Sequence, residues 1–278
     1  MGVESTPAPS PSRAGRNLPA AIAVGVGLGA LILGSLFWQK VLFTVLVLAV
    51  VVVAVDEMIK ALRTGGAVIP RIPLFIGTTA MLVAAYFGGP MALLVALAIT
   101  VLATIFWRMP GGSVGFVRDA SAGVFLIGYV PLLAGFAILL VQPEADGPQR
   151  VVTFFLVVVA SDVGGYAAGV LFGKHPMAPA ISPKKSWEGF AGSALGCIGA
   201  GIGAVVWLLD GQWWAGAIIG AVAVCTATVG DLGESMIKRD LGIKDMSNLL
   251  PGHGGVMDRL DSLLATAPAV WLLLHLLV

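Results

Sequence analysis

The stretch Gly230–Asp261, GDLGESMIKRDLGIKDMSNLLPGHGGVMDRLD, holds ten of the chain's charged side chains, which number 16 basic and 15 acidic in all. If the apolar run before it stays helical, Asp231, Glu234, Ser235 and Lys238 recur at helical spacing and share one face. Two carboxylates and a lysine then line one stripe. Pro251-Gly252-His253-Gly254-Gly255 reads as a flexible turn whose amides can wrap an anion. Asp258 and Asp261, at i and i+3, open the last apolar run on one face, with Arg259 turned aside. Hard divalent cations seek clustered carboxylate oxygens, and Mg²⁺ commonly takes one or two carboxylates together with substrate phosphates. Lysine and arginine beside them would neutralise phosphate charge as it is redistributed in a transfer. The set therefore predicts a metal–triphosphate site. A salt-bridged loop would account for the charges, but not for acids set inside apolar runs or for the glycine turn. His253 has no second histidine at ligand spacing and reads as a phosphate hydrogen-bond donor or a turn residue.

A second group lies upstream, in SDVGGYAAGVLFGKHPMAPAISPKKSWEG at residues 161–189. Asp162 falls near the middle of an apolar run, where an unpaired acid costs several kcal/mol and marks function. The loop after it carries Lys174, His175, Lys184 and Lys185. Ser186-Trp187-Glu188 then stands at the next helix start, where Ser186 is also a candidate N-cap. Paired lysines with a tryptophan are in addition the ordinary furniture of a membrane interface. Asp56-Glu57 reads first as a helix-end pair at the interface and second as a supporting contact to the site.

Positioning these groups falls to membrane helices. Of 278 residues, 58% are hydrophobic and only 11% charged, with mean hydropathy +0.97, whereas a soluble domain carries roughly a quarter charged residues. Residues 1–17, rich in Pro and Ser, predict a disordered tail. Nine apolar runs follow: 18–38, 41–55, 72–87, 90–107, 120–141, 151–172, 187–209, 213–232 and 262–278. With the tail and alternate loops on one side, that side collects every lysine and arginine except Lys40 and Arg150. The positive-inside rule then places the N-terminus and both polar groups in the cytoplasm and the C-terminus outside. The expected fold is an all-α polytopic bundle. Residues 18–150 form structural, dimer-forming or lipid-facing spans, and residues 151–278 form a catalytic half without an internal repeat. Cys197 and Cys225 each stand alone and read as packing residues, as does His275 deep in the last span.

The second half also resembles a known family. Ser235-x-Ile237-Lys238-Arg239, Lys244-Asp245-x-Ser247 and Leu250-Pro251-x-His253-Gly254-Gly255-Val256-x-Asp258-Arg259-Leu260-Asp261 match the signature of phosphatidate cytidylyltransferases. Ser161-Asp162, Phe172-Gly173-Lys174 and Ser182-Pro183-Lys184-Lys185-Ser186-Trp187-Glu188-Gly189 are similar too, with Ser186 where the family usually has threonine. The Ala/Val/Gly-rich spans suggest a bacterial inner (plasma) membrane, and the resemblance implies a polytopic, homodimeric membrane enzyme. It would convert CTP and phosphatidic acid, drawn from the membrane lipids, to CDP-diacylglycerol and pyrophosphate, using Mg²⁺ and a second cation such as K⁺, without nucleic-acid partners. It assigns the metal to Asp231, Asp258 and Asp261, and charge stabilisation to Lys238 and Arg239. Substrate contacts fall to Asp162, Lys174, Ser182, Lys184, Lys185, Ser186, Glu188, Glu234, Lys244, His253, Gly254, Gly255 and Arg259. Alternatives are a CTP-dependent transferase or kinase acting on an isoprenoid lipid, which needs the same phosphate site, and an ion-coupled transporter. The transporter ranks last because the polar residues gather at one face of one half.

Overall fold

The computed structural model describes residues 18–247, 249 and 254–278. The expected tail and the expected role of His253 lie outside the described residues. Among the described residues nine α-helices carry the fold: α1 Leu18–Trp38, α2 Lys40–Thr64, α3 Arg71–Arg108, α4 Phe116–Tyr129, α5 Pro131–Val141, α6 Gly147–Phe172, α7 Trp187–Leu208, α8 Trp213–Asp240 and α9 Met257–Leu277. Seven helical stretches among the described residues are long and apolar enough to cross a membrane, α4 and α5 together making one of them. Their outer faces present bulky apolar side chains such as Phe87, Leu195 and Trp207, which are 77–82% exposed in the isolated chain. Only a hydrocarbon solvent makes that much outward apolar surface favourable.

Helix α3 bends sharply at Gly89, whose φ of +66° lies in the left-handed region. Pro90 follows and removes a backbone donor, so helical hydrogen bonding is interrupted there. The two arms fold back on one another, because Gly77 in the first packs directly against Thr100 in the second. Two of the predicted runs, 72–87 and 90–107, are thus an antiparallel pair joined by a one-glycine corner.

Two elements outrun their apolar cores. Helix α2 continues past Val55 to Thr64, supported by the Asp56–Lys60 pair (2.6 Å) one turn apart. Helix α8 continues past Leu232 to Asp240, with Glu234 and Lys238 likewise paired at i and i+4 (3.4 Å). Hydropathy ends a span where the apolar residues stop, but a helix ends only where its backbone and charges lose their partners.

Helices α6, α7 and α8 pack through small residues. A side chain at Gly164 would strike the carbonyl of Gly192, and one at Gly201 would strike that of Gly216. Backbones approach this closely only where side chains are absent, the usual device for helix association in lipid. One element adds to the all-helical expectation. Residues Pro176–Ala178 (β1) and Ser182–Ser186 (β2) pair as a short antiparallel hairpin between α6 and α7. Its strands are too short and too polar to show a period of two in sequence.

The bundle has two unlike ends. At one end Lys40 donates to the Pro143 carbonyl, and Arg150 pairs with Asp146 while reaching the Leu274 carbonyl. The hairpin, the C-terminal ends of α2, α6 and α8, and the start of α9 lie at the other.

Candidate active site

Four segments converge at that second end. The face of α8 that the spacing predicted divides into two rows. Asp231 and Ser235 point toward the hairpin, where Lys185 of β2 meets Asp231 at 2.6 Å and the Ser235 hydroxyl donates to the same carboxylate at 3.4 Å. Glu234 and Lys238 point toward α9, where Lys238 Nζ reaches Asp258 Oδ1 at 2.8 Å. Glu234 is 1% exposed and stands within electrostatic reach of Asp261. Asp261 also accepts the Ser262 amide at 2.7 Å. Gly230 seats α8 tightly on the backbone of α9 at Asp261, which is what brings these carboxyls together.

Asp258 is held on both carboxylate oxygens. Besides Lys238, its Oδ2 accepts the amides of Met246 (3.0 Å) and Gly255 (2.7 Å). The amide expected to wrap an incoming anion at Gly255 is therefore used by the protein's own carboxylate. The next two amides, Val256 and Met257, likewise donate to Glu57 of α2, at 3.0 and 2.8 Å. Gly254 has φ +79° and Gly255 has no room for a side chain, since a Cβ there would lie 2.7 Å from Glu57. Glu57 is 3% exposed, unlike the interface-facing helix-end residue of the first sequence reading. Its neighbour Asp56 fits that reading, paired with Lys60 and with Arg71 (3.2 Å).

Two cavities meet at the lysine pair of β2. The first, about 300 Å³, descends between α6, α7 and α8, and is lined by Ser161, Asp162, Lys185, Ser186, Ser193 and Asp231 among others. The second, about 390 Å³, lies outside it and is lined by Ser182, Ser235, Lys238, Arg239, Lys244 and Asp245, among others. Lys184 borders both. Asp162 stands within electrostatic reach of Asp231, Asp261, Lys185 and Arg259. The Arg239 side chain also reaches the Ile181 carbonyl (3.4 Å), tying the hairpin to the end of α8.

Two predicted contacts, Glu188 and Lys174, border neither cavity, and a third, Ser186, has a second task. Glu188 binds the amides of Lys174 and His175 (3.1 and 3.2 Å) and the His175 ring (2.5 Å), so it fastens the loop leaving α6. The Lys174 side chain is exposed and borders neither cavity. Ser186 caps α7, accepting the Gly189 amide at 3.1 Å, while its residue also lines the first cavity. Away from the site, His275 stacks on Trp271 and Cys197 is buried, both as packing residues; Cys225 is exposed on the isolated chain. Sequence reasoning ranked Glu57 second to a surface role. The signal that finds it is an acid within a continuing helix, since a buried carboxylate must be satisfied by donors.

The donor chemistry suits a hard cation. The acids supply only oxygen, and carboxylates gathered within electrostatic reach of one another favour a cation among them. Among the described residues, no three carboxylate, histidine or cysteine side chains already stand close enough to hold an ion by themselves. An ion here would complete its shell from phosphate oxygens.

The structure is thus a membrane helical bundle with cationic and carboxylate groups around paired cavities, an arrangement able to hold phosphate groups. Comparison with known proteins gives the family. The chain matches the model of the cytidylyltransferase family over residues 19–277 and belongs to that family. It is 47% identical to a Mycobacterium leprae protein named phosphatidate cytidylyltransferase, over 95% of this chain and 90% of that protein. A protein of the same name from Mycobacterium bovis is 45% identical over 99% of this chain and 94% of its own length. A more distant one from Pseudomonas aeruginosa is 39% identical over 70% of this chain and 74% of its own.

Proposed function

We propose that the protein transfers the cytidylyl group of CTP to phosphatidic acid, giving CDP-diacylglycerol and pyrophosphate. The observation that carries this reading is the pair of cavities sharing Lys184. One is ringed by Lys238, Arg239 and Lys244 and suits a polyphosphate. The other runs down among apolar helices, where a phosphate on a diacyl chain belongs. A phosphatidate oxygen attacks the α-phosphorus, the bond from that phosphorus to the β-bridging oxygen breaks, and pyrophosphate leaves. Lys238 and Arg239 offset the charge growing on the pyrophosphate, and Lys184 and Lys185 orient the lipid phosphate. A phosphate dianion needs no general base.

Asp231, Asp258 and Asp261 would hold Mg²⁺, with a second cation such as K⁺ beside them. When bound, the metal supplies charge neutralisation at the triphosphate. Asp162 and Arg259 support this group, Glu234 borders it, and Ser182 lines the polyphosphate cavity. The protein works as a homodimer in the bacterial plasma membrane. Nine spans, α3 counting twice and α4 with α5 once, put the N-terminus and the site on the cytoplasmic side, where CTP is found.

The test is turnover by purified protein in mixed micelles. Pyrophosphate release should require CTP, phosphatidate and a divalent cation together, and should cease with EDTA. Release of CDP with a phosphorylated polyprenol would instead identify a lipid kinase, and turnover without lipid would overturn the assignment.

A further inference from the structure

Glu57 belongs to α2, in the half of the chain that carries none of the signature residues, yet it binds the start of α9. Its Oε1 accepts the Ser247 hydroxyl at 2.5 Å and the Val256 amide at 3.0 Å, and its Oε2 accepts the Met257 amide at 2.8 Å. Three donors satisfy a carboxylate that is almost wholly buried. Two of them are the unpaired amides at a helix N-terminus, where a negative charge is also favoured by the helix dipole. Helix α9 has no side-chain cap of its own, its N-cap residue being Val256. Glu57 does that work from another helix.

The contacts continue from there to the chemistry. The segment that Glu57 grips at Ser247 and Val256 is the one whose Met246 and Gly255 amides hold Asp258. Asp258 in turn fixes Lys238 at 2.8 Å. Gly255 touches both carboxylates, with room for neither if it bore a side chain. Helix α2 is itself anchored, by Asp56 to Arg71 and by Gly65 against Leu241 at the end of α8.

Resting on the cytidylyltransferase reading, we propose that Glu57 is a positioning residue for that reaction. From the N-terminal half it sets where residues 246–247 and 255–257, Asp258 and hence Lys238 stand, and so couples the first half to catalysis. Glutamine at this position keeps the size but turns an amide toward a backbone N–H, where acceptor is needed. Aspartate keeps the charge but falls short by one methylene.

The test uses the full chain in detergent micelles and compares Glu57→Gln, Glu57→Asp and Ser247→Ala, with Asp146→Asn at the opposite end of the bundle as the outlying control. Glu57→Gln should lower kcat by roughly tenfold to a hundredfold, the range of a lost hydrogen-bonded charge. The KM values for CTP and phosphatidate should change far less. Ser247→Ala should give a smaller loss, and combining it with Glu57→Gln should cost less than the product of the two, because both act through one contact. Hydrogen exchange should rise in residues 246–257 of Glu57→Gln and stay unchanged in α6 and α7, a readout independent of turnover. Wild-type kinetics with unchanged exchange in that segment would overturn the proposal. So would exchange rising evenly through all helices, which marks Glu57 as a general stability residue. Should Glu57→Gln fail to fold, Ser247→Ala decides alone: a kcat and a 246–257 exchange matching wild type overturn the proposal. Failure of the wild-type protein to turn over CTP with phosphatidate would count against the cytidylyltransferase reading, while the exchange result would still judge the contact.

Discussion

Asp231 and Asp258 carry the same side chain in unlike settings. Asp258 is held by a lysine and two amides, so its orientation is set before any substrate arrives. Asp231 faces the first cavity, paired with Lys185, with 38% of its side chain exposed. A carboxylate so placed can exchange its lysine for an ion or let that lysine turn to a phosphate. Asp231→Asn should therefore lower turnover by about a hundredfold or more while leaving the melting temperature within a few degrees. Steady-state kinetics and a thermal-shift assay on the same sample would check both. Near-normal turnover in a folded variant would remove Asp231 from the site.

At the scale of elements, the close contact of α6 with α7 shapes the first cavity. Gly164 and Gly192 let the two backbones touch, and Gly165, Gly189 and Ser193 along the same seam form the cavity wall. A side chain at position 192 meets Ala168 and the Gly164 carbonyl, and neither can move without displacing a helix. Gly192→Leu should cost about 1–3 kcal/mol or more by overpacking. It should lower both the melting temperature and turnover, as measured in matched detergent. The same substitution at Gly199, which faces open space, should change neither by a comparable amount.

For the whole molecule, the two unlike ends make a prediction about sidedness. Every described lysine and arginine except Lys40 and Arg150 belongs to the end that holds the site or to the loops beside it. A protease site inserted at Gly111–Ser113, on an exposed turn at the site end, should be cut in inverted inner-membrane vesicles. One inserted near Glu144, beside Lys40 at the other end, should be cut only after detergent is added. The opposite pattern would invert the topology.

Much of this protein is decided along the chain alone. Apolar runs of membrane length specify helices, because backbone groups in hydrocarbon must pair within their own segment. Lysine and arginine bias orders their ends, and the carboxylates and lysines of 231–261 announce phosphate chemistry by type and spacing. Gly89-Pro90 marks the corner of α3 for the same local reason. What the tertiary structure alone decided is which partner each charge takes. Asp231 faces β2 while Glu234 faces α9, and the glycine-turn amides of 255–257 serve Asp258 and Glu57. These assignments depend on how α2, α8, α9 and the hairpin pack, over separations of up to 200 residues. A sequence shows that a buried acid needs donors, but only packing chooses them.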